Sequence, residues 1–79
     1  MWYVYILKCG DKKTYIGCTN DLKNRLLRHQ RGHIAATKKR LPVNLIAYFG
    51  VKSKGKAFAF EQYLKTGTGR IFLQKRLFS

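Results

Sequence analysis

Seventy-nine residues limit the chain to one domain with a modest core, and 46% apolar residues point to a folded unit rather than a disordered basic tail. Seventeen basic residues against three acidic ones give a net charge of +14, a self-repulsion that a polyanion such as nucleic acid relieves. The apolar run from Trp2 to Leu7 is too short for a membrane span or a signal segment, so a cytoplasmic location with no membrane partner is expected.

Trp2 to Lys8 and Thr14 to Thr19 are rich in β-branched and aromatic residues, and the intervening Gly10-Asp11-Lys12-Lys13 reads as a hairpin loop. Asn20 or Asp21 caps a helix running to about Arg31, with Gly32 as its stop. A short helical turn is expected over Ile34 to Lys38, after which Pro42 leads into a third strand, about Val43 to Phe49. Ser53 caps a helix reaching Lys65 and stopped at Gly67, and a last basic helix spans Arg70 to Leu77. The order ββα-β-αα predicts an α/β (α+β) single domain over residues 1–79, a small antiparallel sheet flanked by helices. Cys9 and Cys18 lack the spacing of a zinc site or a disulfide framework and are expected to be reduced.

Period-2 alternation puts Tyr3, Tyr5 and Leu7 on one face of the first strand, and Tyr15, Gly17 and Thr19 on one face of the second. A hairpin centred on Asp11 sets Tyr5 opposite Gly17 and Leu7 opposite Tyr15. Both tyrosines then share a face, and Gly17 leaves a pocket free of side chain beside Tyr5; a slip of one residue would separate them. On the first helix, Leu22, Arg25, Leu26 and His29 fall within an arc of roughly 100°, whereas Lys23, Asn24, Arg28 and Arg31 fall outside it. Arg25 and His29 thus lean toward the sheet. With so few carboxylates in the chain, the missing counter-ion of Arg25 is a phosphate. Asp11 suits the turn and Asp21 the helix start, which leaves Glu61 mid-helix on a face with Ala57, Phe58 and Leu64. A carboxylate in an apolar stripe requires a cation: a lysine or arginine as an ion pair, or Mg²⁺ or Mn²⁺ as a metal site.

Tyr3-Val4-Tyr5, Tyr15-Ile16-Gly17, Arg25, His29 and Glu61, in this order, resemble the GIY-YIG nuclease family, and Glu61 to Arg70 looks like its small single-domain branch. The resemblance covers essentially the whole chain. It implies a three-stranded antiparallel sheet with flanking helices and metal-dependent DNA cleavage, in DNA repair or processing. Three positions depart from the family pattern. Tyr3 and Val4 replace the Gly and Ile of the first motif, Cys18 stands where some members carry a lysine, and the late asparagine has no counterpart among Thr66 to Arg70.

The expected activity is that of an endonuclease in which water attacks a phosphodiester directly. Tyr5 or Tyr15 orients and deprotonates the water, Arg25 stabilises the phosphoryl charge, Glu61 holds Mg²⁺ or Mn²⁺, and His29 relays a proton or holds Tyr5. Lys38, Lys39, Arg40, Arg70, Lys75 and Arg76 are expected to contact phosphates of a branched or nicked DNA, with a protein partner able to supply substrate recognition. The alternative is a non-catalytic nucleic-acid-binding module on the same fold, and a weaker third reading is a basic structural protein of a ribonucleoprotein.

Overall fold

A computed structural model describes residues 1–78, with three strands, three α-helices and a terminal π-helical segment. Strands β1 (Trp2–Cys9), β2 (Thr14–Thr19) and β3 (Val43–Val51) form one antiparallel sheet in the order β2-β1-β3. Helices α1 (Leu22–Gln30), α2 (Lys54–Leu64) and α3 (Gly67–Leu73) flank it, and a π-helical segment (Gln74–Phe78) follows.

The hairpin register is the expected one: Tyr5 pairs with Gly17 and Leu7 with Tyr15. Asp11 helps to fix it, its carboxylate accepting from the Lys13 amide at 3.0 Å while Cys9 N–H donates to Lys13 C=O at 2.9 Å. Alternation along β1 then separates two cores. Val4 and Ile6, with Ile16, Ala57, Leu64 and Leu73, build the layer under α2 and α3. Tyr5, Leu7, Cys9 and Val43, with Tyr15, Leu22, Leu26 and Leu45, build the layer under α1. Val4, Ile6, Leu7 and Leu64 are fully buried, each worth about 1.5–3 kcal/mol.

Helix α1 starts at Asp21, whose carboxylate accepts from Asn24 N–H at 3.1 Å. It ends where Gly32 takes φ 76°, with Gly32 N–H on His29 C=O and His33 N–H on Arg28 C=O, the paired bonds of a Schellman cap. Ser53 caps α2 as expected. Gly67, however, does not stop a helix; it opens α3. The Thr66 hydroxyl accepts from Gly69 N–H at 3.1 Å and caps the new helix one residue after the α2 C-cap, Lys65. The predicted helix from Arg70 to Leu77 is therefore α3, begun three residues earlier, plus the first four residues of the π-helical segment. The third strand runs two residues beyond Phe49, and its pairing with β1 carries a bulge between Ile6 and Leu7. Among the described residues no helix is long and apolar enough to cross a membrane.

Candidate active site and basic groove

Tyr5 is the centre of the site. It projects from the middle strand toward α1, only 1% exposed, and its hydroxyl lies 2.8 Å from His29 Nε2. His29, fully buried, reaches down from the last turn of α1, and its Nδ1 lies 2.7 Å from the Thr37 hydroxyl. Tyr15 completes the group from β2, its ring 5.2 Å from His29 and 6.3 Å from Tyr5, centre to centre. Gly17 permits this arrangement, because a Cβ there would overlap the Tyr5 ring and hydroxyl.

Burial pushes the Tyr5 hydroxyl up to about 12, with the nearby Tyr15 adding to the rise; Arg25 opposes it by hydrogen bond and by charge, and the Glu61 charge reinforces it. His29 is held below its ordinary value, first by burial and then by Arg25 and Arg28, so the imidazole is neutral near pH 7.

Glu61 arrives from the other layer. It is 8% exposed on the α2 face that also buries Ala57 and Leu64, and its charge reaches Cys18 on β2 as well as Tyr5. Phe58, expected on the same stripe, is instead 56% exposed; Phe60 takes the inward place and packs edge-on against Phe49 at 5.1 Å. The cation that Glu61 requires is supplied within the helix: Lys65 Nζ donates to Glu61 Oε2 at 2.7 Å. The Lys65 side chain is 45% exposed, so it can leave the carboxylate without unpacking the core.

A single carboxylate suits one kind of metal. Among the described residues no three His, Cys, Asp or Glu side chains gather as an all-protein cage. That donor set does not fit a structural zinc or a calcium site. It fits a hard ion such as Mg²⁺, which keeps several waters and takes its remaining oxygens from one carboxylate and a substrate phosphate.

Beside the site, along the edge strand β2, runs a groove of about 860 Å³. Lys8, Lys12, Lys13, Arg40, Lys65 and Arg70 line it together with Tyr15. Tyr15 and Lys65 thus join the groove to the buried cluster. Of the expected phosphate contacts, Arg40 and Arg70 stand in the groove, whereas Lys38, Lys39, Lys75 and Arg76 are exposed outside its lining. Arg40 also donates to Asp11 at 2.8 Å, tying the loop before β3 to the hairpin turn. Lys8, Lys12, Lys13 and Lys65 are groove residues that the sequence reading missed. The Lys12-Lys13 pair in a turn beside a Tyr15 strand was the signal available for two of them. Both thiols are free, Cys9 buried and Cys18 partly so.

With this geometry described, comparison with known proteins gives one direction. The family profile described as the GIY-YIG catalytic domain matches residues 1–76. The chain is 45% identical over 64 residues to the UPF0213 protein SpyM50708 of Streptococcus pyogenes serotype M5, covering 80% of this chain and 70% of that one. It is 43% identical over 65 residues to the UPF0213 protein YsiG of Lactococcus lactis, covering 81% of this chain and 62% of that one. The fold is similar to the solution NMR structure of the UPF0213 protein BH0048 from Bacillus halodurans, with a TM-score of 0.59 and 33% identity. That match covers 95% of this chain and 84% of the other.

Proposed function

This chain belongs to the GIY-YIG family, a family of nucleases, and from that premise we propose that it is an endonuclease that hydrolyses DNA phosphodiester bonds with a divalent metal. The observation that carries the reading is the buried hydrogen bond of Tyr5 to His29, with Tyr15 packed against both rings and lining a basic groove.

In this reading Tyr5 is the base that takes a proton from the attacking water. The water oxygen forms the new bond to phosphorus, the bond to the leaving sugar oxygen breaks, and that oxygen departs with the electron pair and is protonated from solvent. Tyr5 must first give up its own proton to solvent, and a hydroxyl pushed up to about 12 is rarely ionised at neutral pH, so its ionisation must be assisted. Arg25 favours the phenolate and stands ready for the phosphoryl oxygens, a placement worth about 2.7–4 kcal/mol per donor in comparable sites. Glu61 would hold Mg²⁺ or Mn²⁺, which when bound supplies positive charge against the phosphate and the leaving oxygen. Tyr15, between the buried cluster and the groove, orients the substrate phosphate. The groove cations contact the backbone rather than base edges, which suits branched, flapped or nicked DNA in repair or processing, with a protein partner able to direct substrate choice.

One observation favours the non-catalytic alternative, a binding module on the same fold: Lys65 already neutralises Glu61. A nicking assay decides between them. Purified protein should convert supercoiled plasmid to the nicked form and cut branched oligonucleotides in Mg²⁺ or Mn²⁺, and should stop on addition of a chelator. Tight DNA binding with no cleavage in either metal would leave the binding module standing.

A further inference from the structure

The chain has three acidic side chains, and the ion pair of one is unlike the rest. Asp21 caps α1, and Asp11 pairs with Arg40 at 2.8 Å, both side chains partly exposed at 37% and 26%. Glu61 pairs with Lys65 at 2.7 Å, but here the carboxylate side chain is 10% exposed and the lysine 45%. The two partners therefore differ in what they need. A buried carboxylate cannot be left without a cation. An exposed ammonium on a flexible four-carbon stem is satisfied by water or by a phosphate oxygen. Lys65 is also the C-cap of α2, with its N–H on Gln62 C=O at 3.2 Å, so the backbone is held while the exposed stem can turn. The same side chain lines the basic groove, and one ammonium thus stands between the buried carboxylate and the groove.

We propose that Lys65 is an exchangeable cation: it holds Glu61 in the free protein and moves to a backbone phosphate in the groove when a divalent metal replaces it on the carboxylate. The proposal rests on the nuclease reading for the metal and the DNA, and adds that the two bind interdependently. With a metal on Glu61, a lysine left in place would face a cation instead of a carboxylate, and like-charge repulsion drives it outward. In the groove it joins Lys13, Arg40 and Arg70, where a phosphate supplies the anion it has lost. In the other direction, a phosphate in the groove offers Lys65 a new partner and so lowers the cost of its leaving Glu61. By linkage, each of the two ligands raises the affinity for the other by the same factor. The ion pair that favours a binding module in the free protein is then the reason that metal loading waits for DNA.

Three measurements test this, none of them a cleavage rate. In ¹⁵N NMR of the lysine side chains, the Lys65 ammonium of the unmodified protein should give a carboxylate-bound signal without metal and lose it in excess Mg²⁺. Free Mn²⁺ counted by electron paramagnetic resonance should show Lys65→Met binding Mn²⁺ about tenfold more tightly than the unmodified protein. That is the scale of one charged hydrogen bond that no longer has to be broken. Glu61→Gln, by contrast, should bind Mn²⁺ at least about tenfold more weakly. Binding of a nicked duplex without metal should be steeper by about 0.9 in log K against log[salt] for Glu61→Gln, because the released Lys65 gains one phosphate contact, and adding Lys65→Met should remove that gain. A Lys65 signal unmoved by Mg²⁺ would overturn the proposal, as would a salt slope unchanged in Glu61→Gln. Should Lys65→Met fail to fold, the Lys65 signal of the unmodified protein and the slope of Glu61→Gln still decide. Mn²⁺ affinity lost in Glu61→Gln but unaltered in Lys65→Met would overturn the exchange and leave the nuclease reading standing. Equal Mn²⁺ affinity in all three proteins would remove Glu61 as the metal ligand, and the exchange with it.

Discussion

Adding one methyl group at Gly17 should disable the site from behind. The Cβ of Gly17→Ala would overlap the Cζ and hydroxyl of Tyr5 and lie 2.9 Å from Cε1, where ordinary contacts are 3.4–4 Å. The Tyr5 ring must therefore retreat by about an ångström, on the scale of a catalytically damaging misplacement. Tyr5 is 1% exposed and tied to His29 at 2.8 Å, so it cannot move without straining the core or breaking that bond. Overpacking costs about 1–3 kcal/mol and a lost hydrogen bond about 0.5–1.5 kcal/mol, so the loss should be about 1.5–4.5 kcal/mol. For a domain this small, even the lower figure lowers the melting temperature by about 6 °C. Displacing a reacting group by that distance should also slow cleavage about a hundredfold. Thermal melting followed by circular dichroism, with a nicking time course on the same preparation, measures both. A Gly17→Ala protein that melts within about 2 °C of the parent and cleaves at the same rate would refute the packing argument.

Tyr5→Phe and Tyr15→Phe delete only hydroxyls: the first should abolish cleavage and the second weaken it, both in folded proteins, and retained activity in both would retire the tyrosine mechanism. The groove cations predict DNA binding that falls steeply with salt, with log K against log[salt] near −4 to −5 for about four to six phosphate contacts. A shallow slope with tight preference for one duplex sequence would mean that bases are read by another route. Stability should also depend on pH through His29. Its native pKa lies below its ordinary 6.5, so the unfolded chain binds this proton first on acidification. The stability present above pH 6.5 should decline as pH falls from 6.5 toward the lowered native value. Denaturant titrations across that interval should show the decline in the parent and a flatter response in His29→Gln; equal slopes would contradict a neutral buried histidine.

The parts of this fold legible in the sequence are those fixed by local patterns. The pairing of Tyr5 with Gly17 follows from strand alternation and a turn centred on Asp11, and the inward lean of Arg25 and His29 follows from helical periodicity. Glu61 was legible as a carboxylate in need of a cation, because its neighbours on α2 are apolar; that Lys65 supplies one turned on a choice among seventeen basic residues. What stayed hidden depends on chain reversals. Thr37 reaches His29 through a loop without regular structure, eight residues away, and no periodicity announces that contact. The groove gathers Lys8, Lys13, Arg40 and Arg70 from four separate stretches, so charge clusters in the sequence, such as Lys38-Lys39-Arg40, were poor guides to it. Gly67 misled because a glycine after a helix reads as a stop, whereas Thr66 caps the next helix at once.

Glu61→Gln tests the central claim most directly. It keeps the size and polarity of the side chain while removing the charge that would hold a metal, and Lys65 is the partner it would release. Single-turnover cleavage of a nicked or branched duplex in Mg²⁺, measured beside binding of the same DNA without metal, separates chemistry from affinity. Cleavage should fall by at least about a thousandfold while affinity changes less than about threefold, because the group acts on the reacting phosphate and not on the groove. Cleavage by Glu61→Gln at close to the parent rate would contradict the assignment of Glu61, and with it the account of Tyr5, Arg25 and His29 as one hydrolytic site.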